Sequence, residues 1–101
     1  MLVEWTLQAS AVWRRQGVRV VSVSPGVVDT PILPDFRASM GDAAIDTATA
    51  EAGRLAEPDD IAPVIAFLLS AEAQWVNGVD LRVDGGLVGG RMALPVDAAV
   101  S

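Results

Sequence analysis

A chain of 101 residues, 51% of them apolar, with a net charge of −6, makes one domain or part of a larger one. Its seven basic residues are all arginines and form no basic stripe, which excludes a nucleic-acid-binding surface. The absence of Cys and His excludes disulfides, cysteine nucleophiles and the commonest metal ligands, and we expect no metal site.

Residues 2–16 have the apolar periodicity of a helix, and Gly17 follows where a C-terminal cap belongs. Glu4 lies within the apolar start and no basic region precedes it, so this segment does not resemble a signal peptide. No apolar run reaches membrane-spanning length, and we expect a cytoplasmic protein without a membrane partner. Two apolar stripes predict a helix covered on two sides, by its sheet and by something else: Leu2, Trp5, Ala9 and Val12, and beside them Val3, Leu7 and Ala11.

Residues 18–24 predict a parallel strand that is buried on both faces, because its valines do not alternate strictly with polar residues. Pro25 ends the strand and opens a Pro-Gly loop that carries Thr30. Parallel sheets bind ligands at the carboxyl ends of their strands, which makes this loop a candidate binding site. Gly26 would let a flat ring lie close to the backbone, and the Thr30 hydroxyl could bond an amide. From the residues alone, an ordinary strand-to-loop turn is the alternative.

The segment after this loop predicts a surface excursion. A weak helical pattern covers residues 42–52, which are rich in Ala and Thr, offer little to bury and suggest a mobile segment. Residues 58–70 predict a longer helix, with Pro58 at its first position and Asp59 and Asp60 in its positive first turn. Helix-start electrostatics explains this aspartate pair without a metal ion.

The Asn77-Gly78 turn leads into a second predicted strand at residues 79–83. Strand, helix and strand then make one right-handed βαβ unit with parallel strands. Residues 87–101 contain no clear element and are expected to form a flexible tail. The glycine run at residues 85–90 lacks the spacing of a phosphate-binding loop, so a turn is favoured there.

Three ordered blocks of this sequence resemble the C-terminal part of the short-chain dehydrogenase/reductase family. They are residues 17–26 with Thr30, residues 54–62 with 67–70, and residues 76–78 with 83–86. Residues 24–33 and 60–69 look closest to the branch that contains coniferyl-alcohol and 3α-hydroxysteroid dehydrogenases. The resemblance implies an α/β fold over residues 1–86, namely the C-terminal αβαβ portion of a doubly wound parallel sheet of Rossmann type.

The same resemblance implies hydride transfer between NAD or NADP and an alcohol or ketone. By similarity to the family, Pro25, Gly26, Val28 and Thr30 border the nicotinamide, and the Val28 backbone and Thr30 hydroxyl hold its carboxamide. Residues 32–53 would cover the substrate, and we expect the first two of them, Ile32 and Leu33, to bind it.

Subunit contacts are also implied by the resemblance. In the family, the helix that matches residues 2–16 packs against its twin in a second subunit. The helix at residues 58–70 and the strand at residues 79–83 form another contact. We therefore expect a homo-oligomer, and the apolar surplus of the chain is consistent with it.

The departures from the family concern the reaction itself. The glycine-rich phosphate loop is absent, and the catalytic Ser, Tyr and Lys have no counterpart, since the chain contains no Tyr and no Lys. Ser22 or Ser24 could act as a nucleophile only with a carboxylate as base, which is disfavoured. We expect no catalytic residue here, and an enzyme fragment that is inactive alone. A non-catalytic association module derived from such an enzyme is the alternative.

Overall fold

A computed structural model describes residues 2–93 of the chain. These residues contain both helices and a parallel pair of strands, as the predicted α/β fold requires. The elements are α1 (Leu2–Trp13), β1 (Ser22–Pro25), α2 (Leu33–Met40), α3 (Asp42–Ala52), α4 (Pro58–Leu69), β2 (Asp80–Val83) and α5 (Leu87–Met92). The expected order of helix, strand, excursion, helix and strand is confirmed, and α2 and α5 are additional to it.

β1 and β2 form a parallel sheet in which Ser22 lies opposite Asp80 and Pro25 lies opposite Val83. The parallel pairing confirms the prediction, but β1 begins at Ser22 rather than at residue 18. Residues 18–21 lie outside the ladder because β2 begins only at Asp80, and the turn before β2 faces them instead.

Pro25 belongs to β1 and does not end the strand before it, contrary to the sequence prediction. The N–H groups of Ser22 and Gly26 donate to Val79 and Val83 in the direction of β2. Successive residues of a strand alternate in direction, so the nitrogen of Pro25 faces away from β2. Its missing N–H therefore costs no bond of the ladder.

Helix α1 ends as predicted, through a short 3-10 turn at Arg14–Gln16 and a left-handed Gly17. Its packing differs from the prediction, because the buried side chains are Thr6 and Ser10. Their hydroxyls donate to backbone carbonyls of the same helix at 2.8 Å, which makes their burial tolerable. Both apolar stripes face outward, and the exposed large residues of α1 are Leu2, Val3, Trp5, Leu7, Val12 and Trp13.

The excursion contains two helices rather than one. Helix α3 has the predicted bounds, and α2 precedes it with Pro34 in its first turn, where no helical N–H is needed. The expectation that this segment has little to bury is wrong, since Ile45 is only 2% exposed and Leu33 and Ala48 are also buried. These three residues form most of the apolar core in the described part of the chain.

Helix α4 begins as predicted, with Pro58 at its first position. Asp60 does more than complement the helix dipole, because its carboxylate accepts the Glu57 N–H at 2.7 Å and pairs with the Arg54 guanidinium at 2.7 Å. The Arg54 hydrogen bond, followed by that from Glu57, lowers the pKa of Asp60 from 3.8 to about 2. None of the helices in the described residues is long and apolar enough to cross a membrane.

Helix α5 occupies the start of the expected tail, so the prediction of no regular element there is wrong for residues 87–92. The Asp84 carboxylate accepts the N–H groups of Gly86 at 3.0 Å and Val88 at 3.1 Å, which caps the helix. These backbone hydrogen bonds, that from Val88 first, lower the pKa of Asp84. Residues 94–101, the rest of the expected tail, lie outside the described residues.

Candidate functional site

A cavity of about 850 Å³ lies between the loop after β1 and the helices α2, α3 and α5. Its lining is largely apolar. The structure brings all of the predicted cofactor-binding and substrate-binding residues to this one cavity: Pro25, Gly26, Val28, Thr30, Ile32 and Leu33. The carboxyl end of a parallel strand thus opens onto the cavity, as the general rule for such sheets expects.

Two elements hold the loop after β1 in place. The Gly26 N–H donates to the Val83 carbonyl of β2 at 3.1 Å. Further along, the Ala56 N–H donates to the Val27 carbonyl at 2.9 Å, and the Asp29 N–H donates to the Ala56 carbonyl at 2.7 Å. The loop is therefore anchored by backbone bonds on both sides of Val28.

Gly26 has a packing role in addition to the cofactor-binding role that the sequence predicts. A Cβ at this position would lie 3.1 Å from the Cα of Asp84, which is closer than ordinary packing allows. The missing side chain thus makes room for the backbone after β2. Gly26 also lines the cavity, and its role beside a bound ring stays a prediction.

Val28 presents a free donor and a free acceptor. In its parallel bridge to Ala56, the bonds are made by the neighbours of Val28, so its own N–H and C=O face the opposite way. Within the described residues, neither group has a hydrogen-bond partner, and neither does the Thr30 hydroxyl. A primary carboxamide offers the complementary donor and acceptor, so these groups fit the nicotinamide amide.

The first helix of the excursion forms an apolar wall of the cavity. Ile32 is 54% exposed, whereas Leu33 is buried and serves the core as well as the lining. Sequence reasoning missed Phe36 and Met40, which also line the cavity. The available signal was that Ile32, Phe36 and Met40 follow one another at intervals of four residues, which places the three side chains on one face of a helix.

Arg91 of α5 is the one charged residue among those that line this cavity in the described chain, and sequence reasoning missed it. Its Nε donates to Glu51 Oε2 at 2.6 Å and its Nη2 to Oε1 at 3.2 Å, so the pair is bidentate. This hydrogen bonding lowers the pKa of Glu51 and raises that of Arg91. The ion pair holds α5 against the end of α3.

The serines before the loop are held by a carboxylate, although away from the cavity. Ser22 Oγ donates to Asp80 Oδ1 at 2.6 Å, and Ser24 Oγ lies 2.9 Å from each Asp80 oxygen. One carboxylate shared by two hydroxyls ties the paired strands together. Neither serine lines the 850 Å³ cavity, so the arrangement gives no support to a serine nucleophile there.

In the part of the chain that the structure describes, the cavity lining contains no side chain that could act as the general base of an alcohol oxidation. The cavity lining contains two hydroxyl side chains, Thr30 and Thr47, and one guanidinium, that of Arg91. None of these groups is an effective general base near neutral pH. Among the described residues, no group of three Asp, Glu, His or Cys side chains is placed to hold a metal ion.

Comparison with known proteins identifies relatives of this chain. A coniferyl-alcohol dehydrogenase from a Pseudomonas species is 39% identical over 90 residues, which are 85% of this chain and 34% of that protein. A 3-alpha-hydroxysteroid dehydrogenase/carbonyl reductase from Comamonas testosteroni is 38% identical over 82 residues, 77% of this chain and 31% of that protein. The chain thus spans about a third of the length of these relatives.

Solved structures share the fold. A candidate 2-deoxy-D-gluconate 3-dehydrogenase from Agrobacterium tumefaciens, with bound NADP, superposes with a TM-score of 0.73 at 33% identity, covering 86% of this chain and 35% of that one. A 4-hydroxyisoleucine dehydrogenase complexed with NADH gives 0.73 at 27% identity, covering 88% and 37%. These likenesses confirm the partial Rossmann-type fold.

The family comparison covers nearly all of the described chain. Residues 1–88 match a family model described as "Enoyl-(Acyl carrier protein) reductase". The relatives include both kinds of enzyme that the sequence resembled, the coniferyl-alcohol and the 3α-hydroxysteroid dehydrogenases. The chain therefore belongs to the short-chain dehydrogenase/reductase family.

Proposed function

We propose that this chain supplies one wall of the nicotinamide and substrate pocket of an NAD(P)-dependent oxidoreductase that acts on an alcohol or ketone. The observation that carries the proposal is the free Val28 N–H and C=O beside the free Thr30 hydroxyl, at the edge of a largely apolar cavity. Family members with bound NADP and NADH support the choice of cofactor class and leave NAD and NADP open.

The chain's own residues position the ring and exclude water from it. Val28 and Thr30 would hold the carboxamide and so fix which face of the ring meets the substrate. When bound, the nicotinamide supplies or accepts the hydride. Ile32, Phe36 and Met40 would cover the apolar body of the substrate, which favours alcohols with a ring or an aliphatic skeleton over sugars.

Proton transfer must come from outside this chain. Oxidation of an alcohol requires a base for the hydroxyl proton, and the sequence contains no Tyr, Lys or His to serve. We propose that the 101-residue polypeptide alone binds the nicotinamide but does not catalyse oxidation of the alcohol or reduction of the ketone. The relatives named above are about three times as long as this chain.

A second function, association without catalysis, is favoured by α1. Its large apolar side chains face outward, with Trp5 59% and Leu7 52% exposed. A further apolar surface lies on α4, where Ile65, Phe67 and Leu69 are exposed. We propose that copies of the chain associate through α1, and through α4 together with β2, because so many exposed large apolar side chains are typical of interfaces.

The experiment is a titration of the ¹⁵N-labelled chain with nicotinamide mononucleotide, followed by NMR. We expect the amides of Val28 and Thr30 to shift, and Thr30→Val to weaken binding by about fivefold, since a neutral hydrogen bond contributes roughly 1 kcal/mol. Thr49→Val is the matched control, because the Thr49 hydroxyl bonds to Ile45 and lies outside the cavity.

Shifts confined to other parts of the chain would contradict the nicotinamide assignment. Turnover of alcohols by the purified chain with NAD⁺ or NADP⁺ would contradict the expected inactivity. Association is measured separately, by analytical ultracentrifugation of the wild type and of a Trp5→Lys, Leu7→Lys variant. A monomer in both cases would overturn the association surface on α1.

A further inference from the structure

We propose that Arg91 makes the cavity selective for substrates that carry a carboxylate in addition to the reacting alcohol or ketone. The inference rests on the proposed function, because it assigns the substrate class of the same cavity. It makes Arg91 a specificity-determining residue, separate from Val28 and Thr30 at the loop wall.

The cavity lining combines apolar side chains with a single positive charge. A guanidinium is the one charged group that lines the cavity in the described chain, among apolar side chains and two hydroxyls. A purely apolar substrate would gain nothing from this charge. A molecule with an apolar body and one anionic end would match the lining in both respects.

The Arg91 guanidinium keeps donors that its ion pair with Glu51 does not use. Its bond to Glu51 uses Nε and Nη2, and the side chain remains 52% exposed. Within the described residues, Nη1 has no hydrogen-bond partner. A guanidinium has five N–H donors, so Nη1 and the outer hydrogen of Nη2 are available to a second carboxylate.

Glu51 sets the strength of this site. Its carboxylate neutralises Arg91 when no ligand is bound, so the guanidinium is never left unpaired beside the apolar lining. The same carboxylate repels an incoming anion. We therefore expect moderate affinity, and removal of the Glu51 charge should increase it.

The test uses the full chain and a matched pair of probes, cyclohexanecarboxylate and the neutral cyclohexanecarboxamide. Dissociation constants come from the NMR shifts of cavity residues such as Ala44 and Thr47. For the wild type, we expect the carboxylate to bind about fivefold more tightly than the amide, the size of a partly exposed ion pair. Arg91→Gln should bring the two constants together, and Glu51→Gln should widen the difference.

Arg37→Gln is the control, because Arg37 also forms exposed ion pairs, with Asp42 and Asp46, but does not line the cavity. It should keep the wild-type preference. Equal binding of the two probes by the wild type, or an unchanged preference in Arg91→Gln, would overturn the proposal. A smaller preference in Glu51→Gln would do the same, and this variant keeps the test valid if Arg91→Gln unfolds.

Two further arms separate the possible sources of an anion. Inorganic phosphate represents a phosphate group of the cofactor, and Arg91-dependent binding of phosphate in preference to the carboxylate would overturn the substrate assignment. Nicotinamide mononucleotide reports on Val28 and Thr30 independently. If it binds there while the carboxylate shows no preference, the substrate class is wrong and the proposed function stands.

Discussion

Helices α1 and α3 are similar in length, but α1 buries polar side chains and α3 buries apolar ones. Helix α1 is rich in Leu, Val and Trp, yet its buried side chains are the hydroxyl-bearing Thr6 and Ser10. Helix α3 is rich in Ala and Thr, yet it buries Ile45, the largest fully buried apolar side chain of the described residues. Composition alone would have ranked the two helices the other way.

The difference shows that contacts, rather than hydrophobicity, decide burial in this chain. Ser10 faces the turn before β2, where Gly78 approaches so closely that a Cβ there would lie 2.6 Å from Ser10 Oγ. Only a small side chain fits at that contact. The larger apolar residues of α1 stay exposed, whereas Ile45 is buried where α3 packs against α2.

The largest expected effect tests the comparison directly. Ile45→Ala should lower the free energy of unfolding by about 2–5 kcal/mol, because it opens a hole in the core of the excursion. Leu7→Ala on α1, where the side chain is exposed, should change it by less than about 0.5 kcal/mol. Urea denaturation followed by circular dichroism measures both. A larger loss for Leu7→Ala than for Ile45→Ala would show that the outward face of α1 contributes more to stability than the core of the excursion.

An intermediate effect tests the contact that buries Ser10. Gly78→Ala should destabilise the chain by more than the about 1–2 kcal/mol expected for any side chain in a left-handed conformation. Gly17→Ala is the matched control, since Gly17 also has a positive φ but has open space around its Cα. Thermal unfolding of the two variants gives the difference.

Ser10→Ala removes the oxygen that the added methyl would meet. The double variant Ser10→Ala, Gly78→Ala should therefore recover part of the stability lost in Gly78→Ala. If Gly17→Ala is as damaging as Gly78→Ala, or if the double variant recovers nothing, the close approach of α1 to this turn is not what limits the packing.

The smallest expected effect lies at the junction between the excursion and α4. The pKa of Asp60 falls from 3.8 to about 2 because the Arg54 guanidinium and the Glu57 N–H favour the carboxylate form. The folded state therefore gains stability from this group above the unfolded pKa, and loses it as the pH falls from about 4 to about 2.

Asp60→Asn should remove this part of the acid sensitivity, which is small because the pair is exposed. Unfolding midpoints of wild type and variant, measured from neutral pH down through that range, should converge as the pH falls. A constant difference between them over the whole range would show that the charge of Asp60 has no such role.

Part of the fold could be predicted because local rules govern it. The bounds of α3, the start of α4 at Pro58 and the cap of α1 at Gly17 follow from helix periodicity and from the conformations that Pro and Gly prefer. Helix α5 could not be predicted, since a segment with two central glycines has poor helix propensity. Asp84 caps it and the Glu51–Arg91 pair holds it in place.

The loop wall of the site was also within reach of the sequence. Pro25, Gly26 and Thr30 lie at and just after the end of β1, where parallel sheets bind ligands, and the resemblance to the family added Val28. Arg91 was out of reach, because it is 40 residues away in sequence from the Glu51 that positions it. The orientation of the Val28 amide was equally hidden, since it depends on a bridge to Ala56.

The sequence alone determined the family, the parallel strand pair, the position of the candidate binding loop and the lack of Tyr, Lys and His for proton transfer, because these depend on residue identity and short-range spacing. Tertiary structure decided which face of α1 is buried, where Gly26 makes room, and which charge enters the cavity. Those properties arise from contacts between segments that are distant in the chain, and no local pattern encodes such contacts.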